Sequence, residues 1–149
     1  VANTDLKKDN IGSKIDVRAR KFLKKSNLDY AHGTGHGVGF FLNVHEGPQS
    51  ISKINKVKIK EGMILSNEPG YYKKNKFGIR IENLVFVKKI SNKLSFENLT
   101  LAPIEKDLIN FNMLTQIEKN YLFKYHMNVY SKISKYLKLK ERKWLASFI

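Results

Sequence analysis

The sequence predicts an α+β fold, antiparallel strands with a covering helix followed by a helical tail, and three patterns carry that expectation. Met63–Glu68 and Phe77–Val87 combine β-branched residues with period-two alternation and predict strands. Ile11, Ile15, Ala19, Phe22 and Leu23 recur at helical spacing and predict an amphipathic helix over 13–25. Ile117, Tyr121, Tyr125, Val129, Ile133 and Leu137 fall every four residues and predict a long amphipathic helix whose stripe is core or subunit contact.

Taken in order, Val1–Asn10 is polar and reads as a loop or broken edge. Ser13 and Asp16 have the spacing of a capping box with Asp in place of Glu, and Asn27 is placed to end the helix. Val38–His45 reads as a buried strand broken by Gly47-Pro48, and Ile51–Lys60 as a loop ending in an edge strand blunted by lysine. The polar stretch Lys73–Lys76 joins the two main strands into a hairpin that brings Glu68 and Glu82 together. Asn92–Asn98 is a turn and short strand, and Thr115 with Glu118 caps the long helix. His126 lies off the stripe and is expected on the surface, while Trp144, Leu145, Phe148 and Ile149 predict a last short helix docked on the body.

The densest chemistry is His32-Gly33-Thr34-Gly35-His36-Gly37-Val38-Gly39, followed by His45-Glu46-Gly47-Pro48. Alternate glycines exclude an ordinary helix, since each costs about 1 kcal/mol there relative to Ala. Counting from Gly33, Gly35 or Gly37, the third glycine of a dinucleotide loop is replaced by Val38, Phe40 or Leu42, and neither a phosphate loop nor a His-Glu-x-x-His helix is present. Two readings stand for the histidines: hydrogen-bonded loop residues, or ligands grouped by design. Three of the four in the chain fall between positions 32 and 45. Glu68 precedes Pro69-Gly70 at a strand end, and Arg80 and Glu82 share one face of their strand, either solvated or functional.

Together these residues resemble the pita-bread metallopeptidases, and aminopeptidase P among them. The resemblance runs through Gly12–Tyr30, His32–Pro48, Glu61–Tyr72, Gly78–Asn83 and the tail from Leu99. It implies that residues 1–98 form the second half of a pita-bread domain, a curved antiparallel sheet with covering helices, and that 99–149 form a helical C-terminal extension. It implies His36, Glu68 and Glu82 as metal ligands, Glu82 bridging two ions, and Glu68 as the relay for the proton of the attacking water. His45 matches the histidine that steadies the oxyanion, His32 the one lining the substrate pocket, and Arg80 an arginine that holds a metal-binding aspartate. Glu46 stands where some relatives have Asp. Two aspartate ligands are expected upstream of Val1, so the chain is expected to be a piece that is inactive alone; Val1 in place of Met agrees.

Carboxylates with one imidazole suit manganese, with cobalt or zinc as substitutes. The implied reaction releases the first residue of a peptide whose second residue is proline, and the implied assembly is a homodimer. A prolidase-type dipeptidase and a catalytically silent peptide-binding module are the rival readings. The formal charge of +15 raises nucleic acid, but it is mostly scattered lysine rather than clustered arginine, which predicts nonspecific attraction to acidic surfaces and no specific nucleic acid. With no cysteine there is no disulfide framework or thiolate metal site. No apolar run reaches the roughly 20 residues that span a bilayer, and Val1–Thr4 does not resemble a signal peptide, so no membrane partner and a cytoplasmic location are expected.

Overall fold

The computed structural model describes residues 1–41 and 43–149. The chain forms two compact units, Val1–Thr100 and Leu101–Ile149.

In the first unit, helix α1 (Gly12–Lys24) starts from Ile11 without a side-chain cap. The expected Ser13–Asp16 box does not form, because Asp16 is fully buried and serves another partner. It accepts from Arg20 Nε (2.8 Å) and from the Thr34 hydroxyl (2.6 Å). Ile15 packs in the core as its spacing predicts, whereas Phe22 is exposed. Beyond the helix Asn27 adopts φ 55°, a left-handed conformation that Asn tolerates.

Among the described residues seven short strands follow: β1 (Gly35–His36), β2 (Ser50–Ile51), β3 (Ile64–Asn67), β4 (Gly70–Lys73), β5 (Phe77–Arg80), β6 (Asn83–Ile90) and β7 (Lys93–Asn98). All pairings between them are antiparallel: β1 with β2, β3 with β6, β4 with β5, and β6 with β7. The predicted hairpin forms with one correction. Asn67 faces Asn83 and Gly70 faces Arg80, so both ladders keep one register, but pairing lapses between them at Glu68-Pro69 and Ile81-Glu82. Pro69 has no N–H to donate there. The expected continuous strand Phe77–Val87 is therefore two, with Val85 and Val87 buried but Ile79 and Ile81 exposed.

The histidine block runs beside β3. Val38 N–H donates to Ile64 O (3.1 Å), Glu68 N–H donates to Thr34 O (2.8 Å), and Gly37 bridges Leu65. A Cβ on Gly35 would collide with the Ser66 main chain, which is why a glycine stands at this approach. The core beneath joins Leu6, Ile15, Ile51, Ile59, Leu65, Val85 and Val87.

Two further expectations need correction. Among the described residues of Val38–His45 there is no strand, and Leu42 lies outside the described residues. Bonds from Glu46 N–H to Gly37 O and from Gly39 N–H to Asn43 O fold the segment back, leaving Phe40 and Phe41 nearly 90% exposed (88% and 86%). The edge strand expected before Lys60 is reduced to one bridge, Lys58 with Ile11.

In the second unit α2 (Gln116–Ile133) carries the predicted capping box, Thr115 with Glu118, and α3 (Leu139–Ala146) follows. Tyr125, Val129 and Leu145 form its core, flanked by Leu101, Ile104, Tyr130, Ile133 and Leu137. Ile117, at the start of the predicted stripe, is exposed. His126 is not on the surface: it is buried, and its Nε2 accepts the Ile104 N–H (3.0 Å). Burial lowers its pKa, against hydrogen bonds to the Phe148 and Ile104 main chain. Among the described residues no helix is long and apolar enough to cross a membrane.

Candidate metal centre

His36 ends β1, Glu68 follows β3 and Glu82 precedes β6, so adjacent segments present all three at one place. One donor atom from each lies within 4.8 Å of the others. Nδ1 of His36 donates to its neighbour's carbonyl, Gly37 O (3.0 Å), which leaves Nε2 free of a proton in the neutral ring and turned to Glu68 Oε1 (3.5 Å). Glu68 is held from two sides: Ser66 Oγ donates to Oε1 (2.9 Å), and Arg80 Nη1 lies 3.5 Å from Oε2. Ser66 Oγ also accepts the His36 N–H (2.9 Å), tying two of the three donors to one hydroxyl.

The other candidates converge around this trio. The His45 ring lies 4.2 Å from that of His36, centroid to centroid, although His45 itself is exposed. A cavity of about 230 Å³ opens beside the pair, lined also by Glu46, Pro48 and Gln49. A larger recess of about 820 Å³ runs along α1 among lysines and contains none of the candidates, whereas His36 and His45 line the smaller one. His32 Nδ1 donates to Gly33 O (2.6 Å), so in the neutral ring Nε2 accepts from the Tyr72 hydroxyl (2.8 Å). That hydroxyl in turn accepts from Arg80 Nε (2.8 Å), a bond that raises the arginine's pKa.

Tyr72 is the residue that sequence reasoning missed. It pairs with Gly78 across β4 and β5, and a Cβ on Gly78 or Gly70 would run into its ring. Two glycines flanking an aromatic residue in one hairpin were the available signal. Ser66 gave none, being a serine in an apolar strand.

One imidazole nitrogen and two carboxylates, with the imidazole tautomer fixed by a carbonyl, match the donor chemistry of a hard or borderline divalent cation. The donor set is of the kind found in metalloproteins. The chain belongs to metallopeptidase family M24, whose model matches residues 2–89, while a model of the C-terminal region of peptidase M24 matches residues 92–147.

The chain is 46% identical over 140 residues to the "Probable Xaa-Pro aminopeptidase P" of Pyrenophora tritici-repentis, covering 87% of this chain and 24% of that protein. It is 49% identical over 131 residues to Xaa-Pro aminopeptidase 1 of Dictyostelium discoideum, covering 82% of this chain and 21% of that one. The crystal structure of X-prolyl aminopeptidase from Caenorhabditis elegans, described as a cytosolic enzyme with a di-nuclear active site, superposes with a TM-score of 0.84 at 40% identity over 91% of this chain and 24% of that one. The expected fold class, half of a pita-bread domain with a helical tail, agrees with these matches. The chain spans about a quarter of the length of the relatives it matches.

Proposed function

We propose that this chain is an incomplete piece of a Xaa-Pro aminopeptidase, a hydrolase that releases the first residue from peptides with proline in second position, and that it carries part of that enzyme's metal site. The observation behind the reading is the convergence of His36, Glu68 and Glu82 within 4.8 Å in a chain of a metallopeptidase family. His36 Nε2 and the carboxylates of Glu68 and Glu82 would hold two divalent ions, manganese by donor chemistry with cobalt or zinc as substitutes. When bound, such a pair supplies a hydroxide at neutral pH and polarises the scissile carbonyl. Three donors are few for two ions, so the reading requires further carboxylates beyond these three.

The remaining roles belong to the chain's own side chains. Glu68 receives the proton of the attacking water on a carboxylate oxygen, while Ser66 Oγ and Arg80 keep that carboxylate oriented. His45, beside His36 and exposed to the cavity, offers a ring N–H to the developing oxyanion. His32, anchored by Gly33 O and Tyr72, lines the substrate side. Arg80 acts on Glu68 here; among the described residues its side chain meets Glu68 and Tyr72 and no aspartate. The division into residues 1–98 and 99–149, a homodimeric assembly and a cytoplasmic setting complete the reading.

The test is release of the N-terminal residue from an X-Pro peptide by this chain with manganese, run beside a co-expressed segment carrying upstream aspartates. Cleavage only with the complement supports the reading. Cleavage by neither rejects it in favour of a binding module, and cleavage by the chain alone shows that three donors suffice.

A further inference from the structure

Arg20, carried by α1, donates one of its four guanidinium hydrogen bonds to Asp16 on its own helix and the other three to the segment that leads into the histidine block. It is 1% exposed. Nε donates to Asp16 Oδ2 (2.8 Å), Nη1 to Asp29 Oδ1 (2.5 Å) and to Tyr30 O (2.7 Å), and Nη2 to His32 O (2.6 Å). The plane also covers the Tyr30 ring at 3.9 Å. Burial alone would lower the pKa of this group, but the bonds to Asp16 and Asp29 outweigh it, and the arginine in turn holds the Asp29 carboxyl well below the usual range.

The cluster reaches the candidate centre by two short routes. Arg20 fixes the His32 carbonyl directly, and His32 carries the ring bonded to Tyr72. Through Asp16 it also fixes Thr34, whose hydroxyl donates to Asp16 Oδ1 and contacts the Tyr30 hydroxyl (2.5 Å), and the Thr34 carbonyl accepts the main-chain N–H of Glu68 (2.8 Å). No side chain intervenes between Thr34 and the Glu68 main chain. We infer that Arg20 is a positioning residue of the candidate metal centre, setting His32 directly and the Glu68 backbone through Asp16 and Thr34. Lysine, a point charge without the planar fork, cannot serve four acceptors in three directions. The inference rests on the metal-centre reading for its effect on metal binding, and on geometry alone for its effect on Glu68.

The experiment uses the full chain with Arg20→Lys, Thr34→Val and Thr34→Ser, reading amide exchange without metal and then cobalt(II) affinity and visible absorption. The first two variants are expected to lose protection at the Glu68 amide while the Val87 amide, bonded to Met63 O, keeps it. Cobalt affinity is expected to fall roughly 10- to 100-fold, as when a group supporting a ligand is removed. At saturation the visible band should be altered in Arg20→Lys and Thr34→Val and restored in Thr34→Ser.

A folded Arg20→Lys chain with native Glu68 protection and native cobalt affinity overturns the inference. If Arg20→Lys fails to fold, Thr34→Val against Thr34→Ser decides, and identical protection and spectra in that pair overturn it. If the unaltered chain binds no cobalt while Glu68 exchange responds to the variants, the metal reading fails and the positioning of Glu68 stands.

Discussion

Glu68 sits opposite Glu82 across a break in an antiparallel ribbon whose register is the same on both sides of the break. Like charges directly opposite each other destabilise a sheet. Their juxtaposition, with His36 as third donor, is what a cation would turn to advantage.

Glu82→Gln is therefore expected to act with opposite signs in two measurements. Without metal, the melting temperature rises slightly because a repulsion is removed. With manganese added, calorimetry should register a large loss of affinity, and a variant that binds manganese like the unaltered chain refutes Glu82 as a ligand.

Tyr72→Phe removes a hydroxyl that joins His32 to Arg80. Stability should change by no more than about 0.5 kcal/mol, as for other exposed positions. Nitrogen-detected spectra of His32 are expected to pass from a single Nδ1–H tautomer to a mixture. An unchanged tautomer would show that Gly33 O alone fixes the ring.

Leu65→Ala tests whether the core holds the ribbon in place. Leu65 is fully buried and pairs with Val85. The expected loss is about 2–5 kcal/mol by denaturant unfolding; a loss below 1 kcal/mol, roughly, would mean that β3 is not packed as described.

His126 gives the second unit a pH dependence. Its folded pKa is below the usual 6.5, so the unfolded chain binds the proton first on acidification. Stability is constant above that usual value, falls as pH drops from there to the folded pKa, and then levels. Trp144, the single tryptophan, packs against Phe148, which also meets the His126 ring, so its fluorescence can follow unfolding. His126→Gln should flatten the dependence between pH values near 7.5 and 5.

The residues of the candidate centre stood out because their local signals are strong: glycines that exclude a helix, a Glu before Pro-Gly, and an alternating strand that carries a charge. The ribbon was legible as a hairpin, but its break was not, because period-two reading has no term for a proline that removes a ladder bond. Phe40, Phe41 and Val44 look like core in composition, yet main-chain bonds between Gly37 and Glu46 and between Gly39 and Asn43 turn them outward. His126 misled for another reason. It lies one residue past Tyr125 and three before Val129, and the buried face of α2 is wider than a single four-residue stripe. Asp16 has the spacing of a capping acid, but a buried arginine one turn away is a stronger partner than exposed N–H groups.

His36, Glu68 and Glu82 come from segments far apart along the chain and meet only where β1 lies beside β3 and β3 beside β6. An unfolded chain has no such cluster, so a divalent ion held there would discriminate between the two states. By mass action it would add RT ln(1 + [L]/Kd) to the folding free energy, about 2.7 kcal/mol at a hundredfold excess over Kd. The cation would thus act as a folding cofactor for the residues that hold it, and unfolding curves recorded at different metal concentrations would report occupancy without any substrate.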